Sequence, residues 1–490
     1  MNRADLLLIN ANRTQPLIAP LAIDYLADAV CQQLPTGFEL AFLDLCLSSD
    51  VQADLDAHFQ RAPGLVGITF RNTDDCFMAS GASFLPELRQ LVSDIRARFA
   101  GPIVLGGCGF SIMPEAILDY CGLSWGVAGD GEWALAELMT AVRKGIGDPT
   151  RIRGVVYRAQ DGHFRRVPPR PNPFGALPAF RRSLVENAKY FREGGQIGIE
   201  TKRGCRQGCI YCADPLSKGT TPRLRPPHKV ADELQSLLEQ GVDVLHLCDS
   251  EFNLPPKHAH AVCAELIRRG LGEHIKWYTY ASPKPFDEHL AESMRAAGCV
   301  GIDFGVDSGD AQMLARLGRD FGPEDLQPAA RACRKAGLLF MFDLLLGGPG
   351  ETRESVARTI ELMQSIQPDR VGVSLGVRLY PGAALAQEIL RAGPLAGNPN
   401  LRGATQDNDS LLMPVFYVSQ ALGEAPEQYL GSLVADDQRF FLPGAAGEAD
   451  YNYNQNQILV EAIARGHRGA YWDILRRLRE GLAPLGACPT

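Results

Sequence analysis

The sequence predicts an α/β chain in three parts: a doubly wound parallel sheet over 1–155, a partial (β/α)6 barrel over 191–385 and a helix-rich C-terminal cap over 386–490, with 156–190 as a linker. Three observations carry this. Strand-like and helix-like patterns alternate over the first 160 residues; a Pro/Arg-rich stretch at 151–190 breaks the rhythm; a second alternation runs from about residue 195 to Pro381. At 490 residues the chain also exceeds one ordinary domain of roughly 100–200 residues.

In the first part, strand candidates lie at 5–10, 39–43, 65–70, 102–105 and 125–128, with helical stretches at 22–33, 84–98 and 133–144 between them. Short apolar runs separated by longer helices indicate βαβ units and a parallel sheet covered on both faces. Such sheets bind ligands beyond the carboxyl ends of their strands. That makes candidate loops of 10–15, 71–75, 106–109 and 129–132. The stretch 165–173 breaks both periodicities and reads as a linker or as an arm lying across a neighbour. Strands of the second part are expected at 196–201, 244–248, 275–280, 300–305, 338–346 and 370–375. Six such units fit a partial parallel barrel with its chemistry at the strands' C-terminal ends. Beyond Pro381 the rhythm stops, and 458–480 is the clearest amphipathic helix.

With 46% hydrophobic residues the chain can fill a sizeable core. A net charge of -8 argues against a broad electrostatic grip on nucleic acid. No apolar run approaches the ~18 residues that span a bilayer, and the first twenty residues read as a first strand, not a signal peptide. A cytoplasmic protein with no membrane partner is expected. Thirteen cysteines, an odd number set mostly in apolar elements, point to buried thiols and a metal site, not to a disulfide framework.

The end of the first barrel strand reads Thr201-Lys-Arg-Gly-Cys205-Arg-Gln-Gly-Cys209-Ile-Tyr211-Cys212. Three cysteines in one Gly-containing loop can converge on an inorganic centre. Four thiolates complete a cubane cluster; three leave one iron with an open position, as catalytic metals require. Three buried thiols, or a structural zinc still in need of a fourth ligand, are the alternatives.

The C-x3-C-x2-C loop, with an aromatic residue before its last cysteine, resembles that of the radical S-adenosylmethionine (SAM) superfamily. The resemblance covers about 195–385 and implies that Cys205, Cys209 and Cys212 hold a [4Fe-4S] cluster whose open iron chelates SAM. Tyr211 then lies beside the cofactor. In the same order follow Glu251 of Cys248-Asp-Ser-Glu-Phe-Asn at the amine-binding position, Asp307 and Ser308 where ribose and carboxylate contacts arise, Gly347 and Gly348 after the fifth strand, and Arg378 after the sixth. Arg319 stands where relatives often carry a base reaching the SAM carboxylate, or is a solvated helix-end arginine. Strand two ends in Asp-Ser-Glu where many members have Gly-Gly-Glu, so little carries over to Ser250.

The first part resembles the cobalamin-binding domain that precedes many such barrels, through Gly106-Gly107-Cys-Gly-Phe-Ser111 and Gly129-Asp-Gly131-Glu132. Glycines there let backbone approach a large ligand closely. The Asp-x-His-x-x-Gly motif that supplies cobalt with a histidine is missing after the first strand, where Asn12-Arg-Thr-Gln stands; Asp56-Ala-His58 lies in a helical stretch. The resemblance therefore implies cobalamin without a histidine lower ligand, as in class B radical SAM methyltransferases. Arg71 is the candidate for that lower side, with a salt bridge to Asp74 or Asp75 as the rival reading. The expected activity is methylation of an unactivated carbon or phosphorus centre of a small metabolite, supplied with electrons by an external flavodoxin or ferredoxin. A cyclase or rearrangement enzyme on the same cofactors, and a corrinoid-binding sensor or carrier, are the alternatives.

Overall fold

The computed structural model describes residues 4–34, 37–143, 149–169, 174–177, 180–444 and 450–485. The first sheet has the strand order Leu40–Asp44, Leu6–Asn10, Leu65–Thr69, Ile103–Gly106, Trp125–Val127, Val155–Arg158, Phe164–Arg166. Its first five strands are parallel; Leu8 lies opposite Phe42 on one side and Gly67 on the other. The order reverses between Leu6–Asn10 and Leu65–Thr69, so the loops carrying Asn12 and Arg71 leave the switch point, where ligands bind in such sheets.

The linker reading of 156–190 fails over its first part. Val155–Arg158 and Phe164–Arg166 form an antiparallel hairpin that extends the first sheet. Val155 and Val156 are fully buried, and Gly162 turns the hairpin at φ 83°. An Asp-Gly turn between β-rich runs is a hairpin signal. Residues 170–173 and 178–179 of that stretch lie outside the described residues.

The second sheet runs Phe440–Phe441, Arg370–Leu375, Leu339–Leu346, Cys299–Asp307, Lys276–Ala281, Val244–Leu247, Ile197–Ile199, all parallel. Six are the expected barrel strands. The seventh comes from the C-terminal segment, which is thus more than a helical cap: Leu401–Gly403 and Val415–Tyr417 also pair in a small antiparallel sheet with Val377–Arg378. The helix expected over 458–480 is two, Gln457–Ala464 and Tyr471–Arg479. Gly466 and Gly469 break it at φ 98° and 130°. The break brings Asp473 to accept a 2.7 Å hydrogen bond from the Tyr278 hydroxyl inside the barrel wall. No helix among the described residues is long and apolar enough to cross a membrane.

Alternation along the first strand explains how the two sheets join. Leu7 and Ile9 belong to a core on the outer face, whereas Leu6 and Leu8 belong to a core continuous with Ile197, Leu245 and Trp277 of the barrel. Across this seam Arg182, with no exposed surface, pairs with Asp24 at 2.9 Å and Glu233 at 2.7 Å. Arg225 holds the other oxygen of Glu233 at 2.5 Å. One network therefore ties helix Leu21–Gln33, the linker and helix Pro227–Glu239 together. Arg182→Met leaves two buried carboxylates short of a partner, and loss of one member of such a set costs about 3–5 kcal/mol. We expect a clear drop in the urea midpoint; an unchanged midpoint contradicts the role assigned to the network.

Candidate active site at the facing strand ends

The cysteine loop is stapled at both ends. Asp249, at the end of the second barrel strand, accepts from the Thr201 amide at 2.8 Å and the Lys202 amide at 3.2 Å. The Cys205 amide donates to Gly219 and that of Ile210 to Leu317. Cys205, Cys209 and Cys212 are half-buried, and burial pushes their thiols up, Cys212 to about 12. Cys212 feels the charge of both others, so the three face a common space. Among the described residues no three His, Cys, Asp or Glu side chains are gathered to hold a single metal ion. A cubane spreads its three thiolates over three different irons, a wider spacing than one ion demands. The donor set fits that cluster.

Arg319 organises the floor of this space. Its side chain is 6% exposed and lies 3.0 Å from Cys209 Sγ, 3.4 Å from Asp307 and 3.6 Å from Glu251. Tyr211 donates to Asp307 at 2.6 Å. Asp307 adopts φ 64°, a strained conformation for a non-glycine residue. Burial lifts Glu251 to about 7 despite Arg319. Glu251 Oε2 and Arg319 Nε are both buried without hydrogen-bond partners. Arg319 Nε does lie 3.4 Å from Asp307, so the open group is the Glu251 oxygen; an unpartnered carboxylate oxygen beside a guanidinium can take the ammonium and carboxylate of an amino-acid moiety, which fits the methionyl end of SAM.

Opposite lie the loops of the first sheet. A Cβ on Gly107, at φ 102°, would sit 2.6 Å from the Phe70 carbonyl oxygen, so only glycine keeps the two loops in contact. Arg71 lines a cavity of about 490 Å³ with Asn12, Thr14, Leu45, Phe84 and Gln455. It has no ion pair among the described residues, and its Nε has no hydrogen-bond partner. Asp74 pairs with Arg378 and Asp75 accepts from Ser80, so the salt-bridge reading of Arg71 is not realised. His58 bonds to the Asp54 and Phe42 carbonyls within its own layer. A guanidinium beside this cavity with a buried Nε and no ion pair among the described residues, and no histidine among the lining residues, fit cobalamin bound without a histidine ligand.

Residues 199–363 match the model of the radical SAM superfamily. The chain is 30% identical over 96% of its length to tryptophan 2-C-methyltransferase of Streptomyces laurentii, of which it covers 96%. The radical SAM methyltransferase TsrM from Kitasatospora setae, solved with tryptophan and aza-SAM, superposes with a TM-score of 0.89 at 32% identity, over 97% of this chain and 98% of that one. A second structure of it, with cobalamin and a [4Fe-4S] cluster bound, gives 0.86 at 31% identity, over 98% of this chain and all of that one. The chain belongs to the cobalamin-dependent radical SAM methyltransferases. The cobalamin-dependent enzyme OxsB shares the fold, with a TM-score of 0.66 at 18% identity over 85% of this chain and 64% of its own.

Within this methyltransferase several expected cofactor contacts are committed elsewhere. Arg378 is spent on Asp74 at 3.0 Å and on the Leu379 and Leu411 carbonyls, making it a tether between the two parts. Ser308 is fully buried and turned to Thr359 at 3.1 Å. Glu132 is buried against Arg203 at 2.7 Å, and Gly131 packs at the foot of its helix beside Leu26. The Gly129 amide donates to Ser111, while a Cβ on Gly106 would lie 3.7 Å from the Val127 carbonyl oxygen, an ordinary contact. The Gly347 and Gly348 amides donate to Glu351, whose own loop they close. Arg319, in contrast, is no solvated helix end.

Two groups beside the cysteines escaped the sequence reading. Lys202 is buried and 3.8 Å from Asp249; Asp214 is held by Lys218 at 3.2 Å and by Ser250 at 2.5 Å. Their only signal was proximity to Cys205 and Cys212 in the chain. Not all the remaining cysteines are the buried thiols expected: Cys31, Cys76 and Cys108 are exposed.

Burial lifts Glu351 from an ordinary value of 4.5 to about 7. A carboxyl raised on folding adds stability that is fully present below its unfolded pKa and lost as pH rises through the folded one. Its share is therefore lost between pH 4.5 and 7. Glu351→Gln keeps an acceptor for both glycine amides without the titration. The fall in urea midpoint from about pH 5 to pH 8 is expected to be smaller in this variant; equal falls contradict the assignment.

Proposed function

We propose that this enzyme methylates a ring carbon of a small aromatic amino acid of the tryptophan type. The observation that carries the reading is similarity along nearly the whole chain to a tryptophan 2-C-methyltransferase, at both sequence and backbone level. In the division of labour we infer, the first sheet carries cobalamin, the barrel carries cluster and SAM, and the C-terminal segment closes the substrate chamber. The partners are then that small molecule and an external flavodoxin- or ferredoxin-type electron donor.

Methyltransferases of this kind work with a [4Fe-4S] cluster, SAM and cobalamin, which together supply electrons and a transferable methyl group. Cys205, Cys209 and Cys212 are the residues to hold the cluster. Arg319 offsets thiolate charge through Cys209 and, with Glu251, orients the methionyl end of SAM. Tyr211 fixes Asp307 through its hydroxyl and so holds the floor beneath the cysteines in place. Arg71, its Nε buried and without an ion pair among the described residues, would place its guanidinium against cobalamin held in the neighbouring cavity, where a cation that offers no lone pair would leave the corrinoid free to supply a methyl group. Apolar packing around both strand ends excludes water from that transfer.

Anaerobic reconstitution with iron, sulfide and cobalamin, followed by incubation with methyl-labelled SAM and tryptophan, tests the reading. We expect S-adenosylhomocysteine together with C-methylated tryptophan. Cys209→Ala should lose cluster iron, sulfide and turnover while still binding cobalamin. Formation of 5′-deoxyadenosine and methionine with no methylated product contradicts methyl transfer.

A further inference from the structure

Below the Arg319 floor lies a second polar layer that the SAM site does not use. Asp303 precedes Gly305 and Asp307 on the fourth barrel strand, and Asp343 stands on the fifth, paired across the sheet with Gly305. The two carboxyls lie close enough for the charge of Asp343 to raise Asp303, and burial pushes both above the usual carboxylate range, Asp303 the further. Tyr451, from the C-terminal segment, donates its hydroxyl to Asp343. Gly372 leaves the space for that ring: a Cβ there would meet Tyr451 at 2.5 Å. Asp303 is 6% exposed, and its Oδ1 is buried with no hydrogen-bond partner. The Tyr453 hydroxyl, close enough to feel both carboxyls, is likewise unpartnered.

This layer has an exposed neighbour. Tyr280 of the third barrel strand feels the charge of Asp303 and Asp343, yet 42% of it is exposed. Tyr453 packs edge-on to Tyr451 at 5.5 Å, and Phe77 from the first sheet's loop does so from the other side at 5.6 Å. The surrounding rings thus come from the barrel, the C-terminal segment and the loop that follows Arg71.

We propose that the Asp303–Asp343 pair is the anchor for a protonated amine of the substrate. The proposal rests on the methyltransferase reading and deepens its substrate class. Two neighbouring carboxyls share one proton and keep one negative charge. Asp303 then donates to Asp343 and leaves Oδ1 as a free acceptor. A buried negative charge with an open acceptor is costly unless a positive donor meets it. Tyrosine faces around it favour a cation further. A carboxylate is repelled, so an amino acid enters with its ammonium toward the pair.

Equilibrium binding to the reconstituted holoenzyme tests this, using tryptamine, which keeps the amine, and indole-3-propionate, which keeps the carboxylate. Tryptamine is expected to bind about tenfold more tightly or better. Asp303→Asn mimics the protonated partner and should bind tryptamine nearly as the wild type does. The double variant Asp303→Asn/Asp343→Asn lacks the charge and should lose about tenfold or more for tryptamine alone. Iron and cobalamin contents report whether it has folded. Equal wild-type affinities for the two probes, no binding of tryptamine, or unchanged tryptamine binding in a folded double variant each overturn the anchor. Selective tryptamine binding without methylation of tryptophan retains the anchor and removes the substrate assignment. Methylation with no amine preference does the reverse.

Discussion

Arg182 has no contact with solvent, and its guanidinium is shared between a helix of the first sheet and a helix of the barrel. The rest of the structure depends on this seam of buried charge. Arg203 repeats it nearer the site, binding Glu200 of its own strand end and Glu132 and Asp130 of the opposite loop. Arg378 and Asp74 close the far side. Such pairs add less net stability than apolar packing of the same volume, because desolvation offsets the Coulomb gain. What they impose is one relative placement, since a slip of either sheet leaves a charge buried without its partner. Chemistry split between two domains needs that constraint: a methyl carrier held by one sheet must face a substrate held by the other.

The same burial shapes the barrel interior. Glu251, Asp303, Asp343 and Glu351 all have carboxyls lifted by desolvation, and each is met by a different device. Arg319 faces Glu251, two glycine amides face Glu351, and Tyr451 faces Asp343. Asp303 alone in this set has only its neighbouring carboxyl, with one oxygen left unpartnered. The layering runs from thiols at the mouth, through an arginine-centred floor able to take one amino-acid moiety, to an acid pair able to take a second ammonium. That layering suits the amino-acid substrate proposed above.

Local pattern carried most of the fold into view. The six barrel strands and the five parallel strands of the first sheet announce themselves as apolar runs between helices, and Cys205, Cys209 and Cys212 as a spacing. Arg319, Asp307, Tyr211 and Glu251 were readable by position in a motif order, and they do meet in space. Legibility ended where a residue's task depends on a partner far along the chain. Arg378 stands in a motif but is claimed by Asp74, and Ser308 by Thr359. Neither pairing leaves a trace in local sequence. Val155–Arg158 was masked by the arginines and prolines that follow it, and Gly469 turns what periodicity reads as one helix into two. Asp303 and Asp343 sit at alternating positions in otherwise apolar strands, where a single acid reads as noise until the facing strand supplies the other.

The central claim, that buried ion pairs fix the cobalamin face against the cluster face, is tested most directly by magnetic coupling between the two centres. In holoenzyme carrying a reduced cluster and cob(II)alamin, electron paramagnetic resonance reports their dipolar interaction. One narrow coupling, the same with and without a bound substrate analogue, is the result expected of a rigid seam. A broad distribution of couplings, or one that collapses to a new value on substrate binding, would show the two sheets moving independently and would contradict the account.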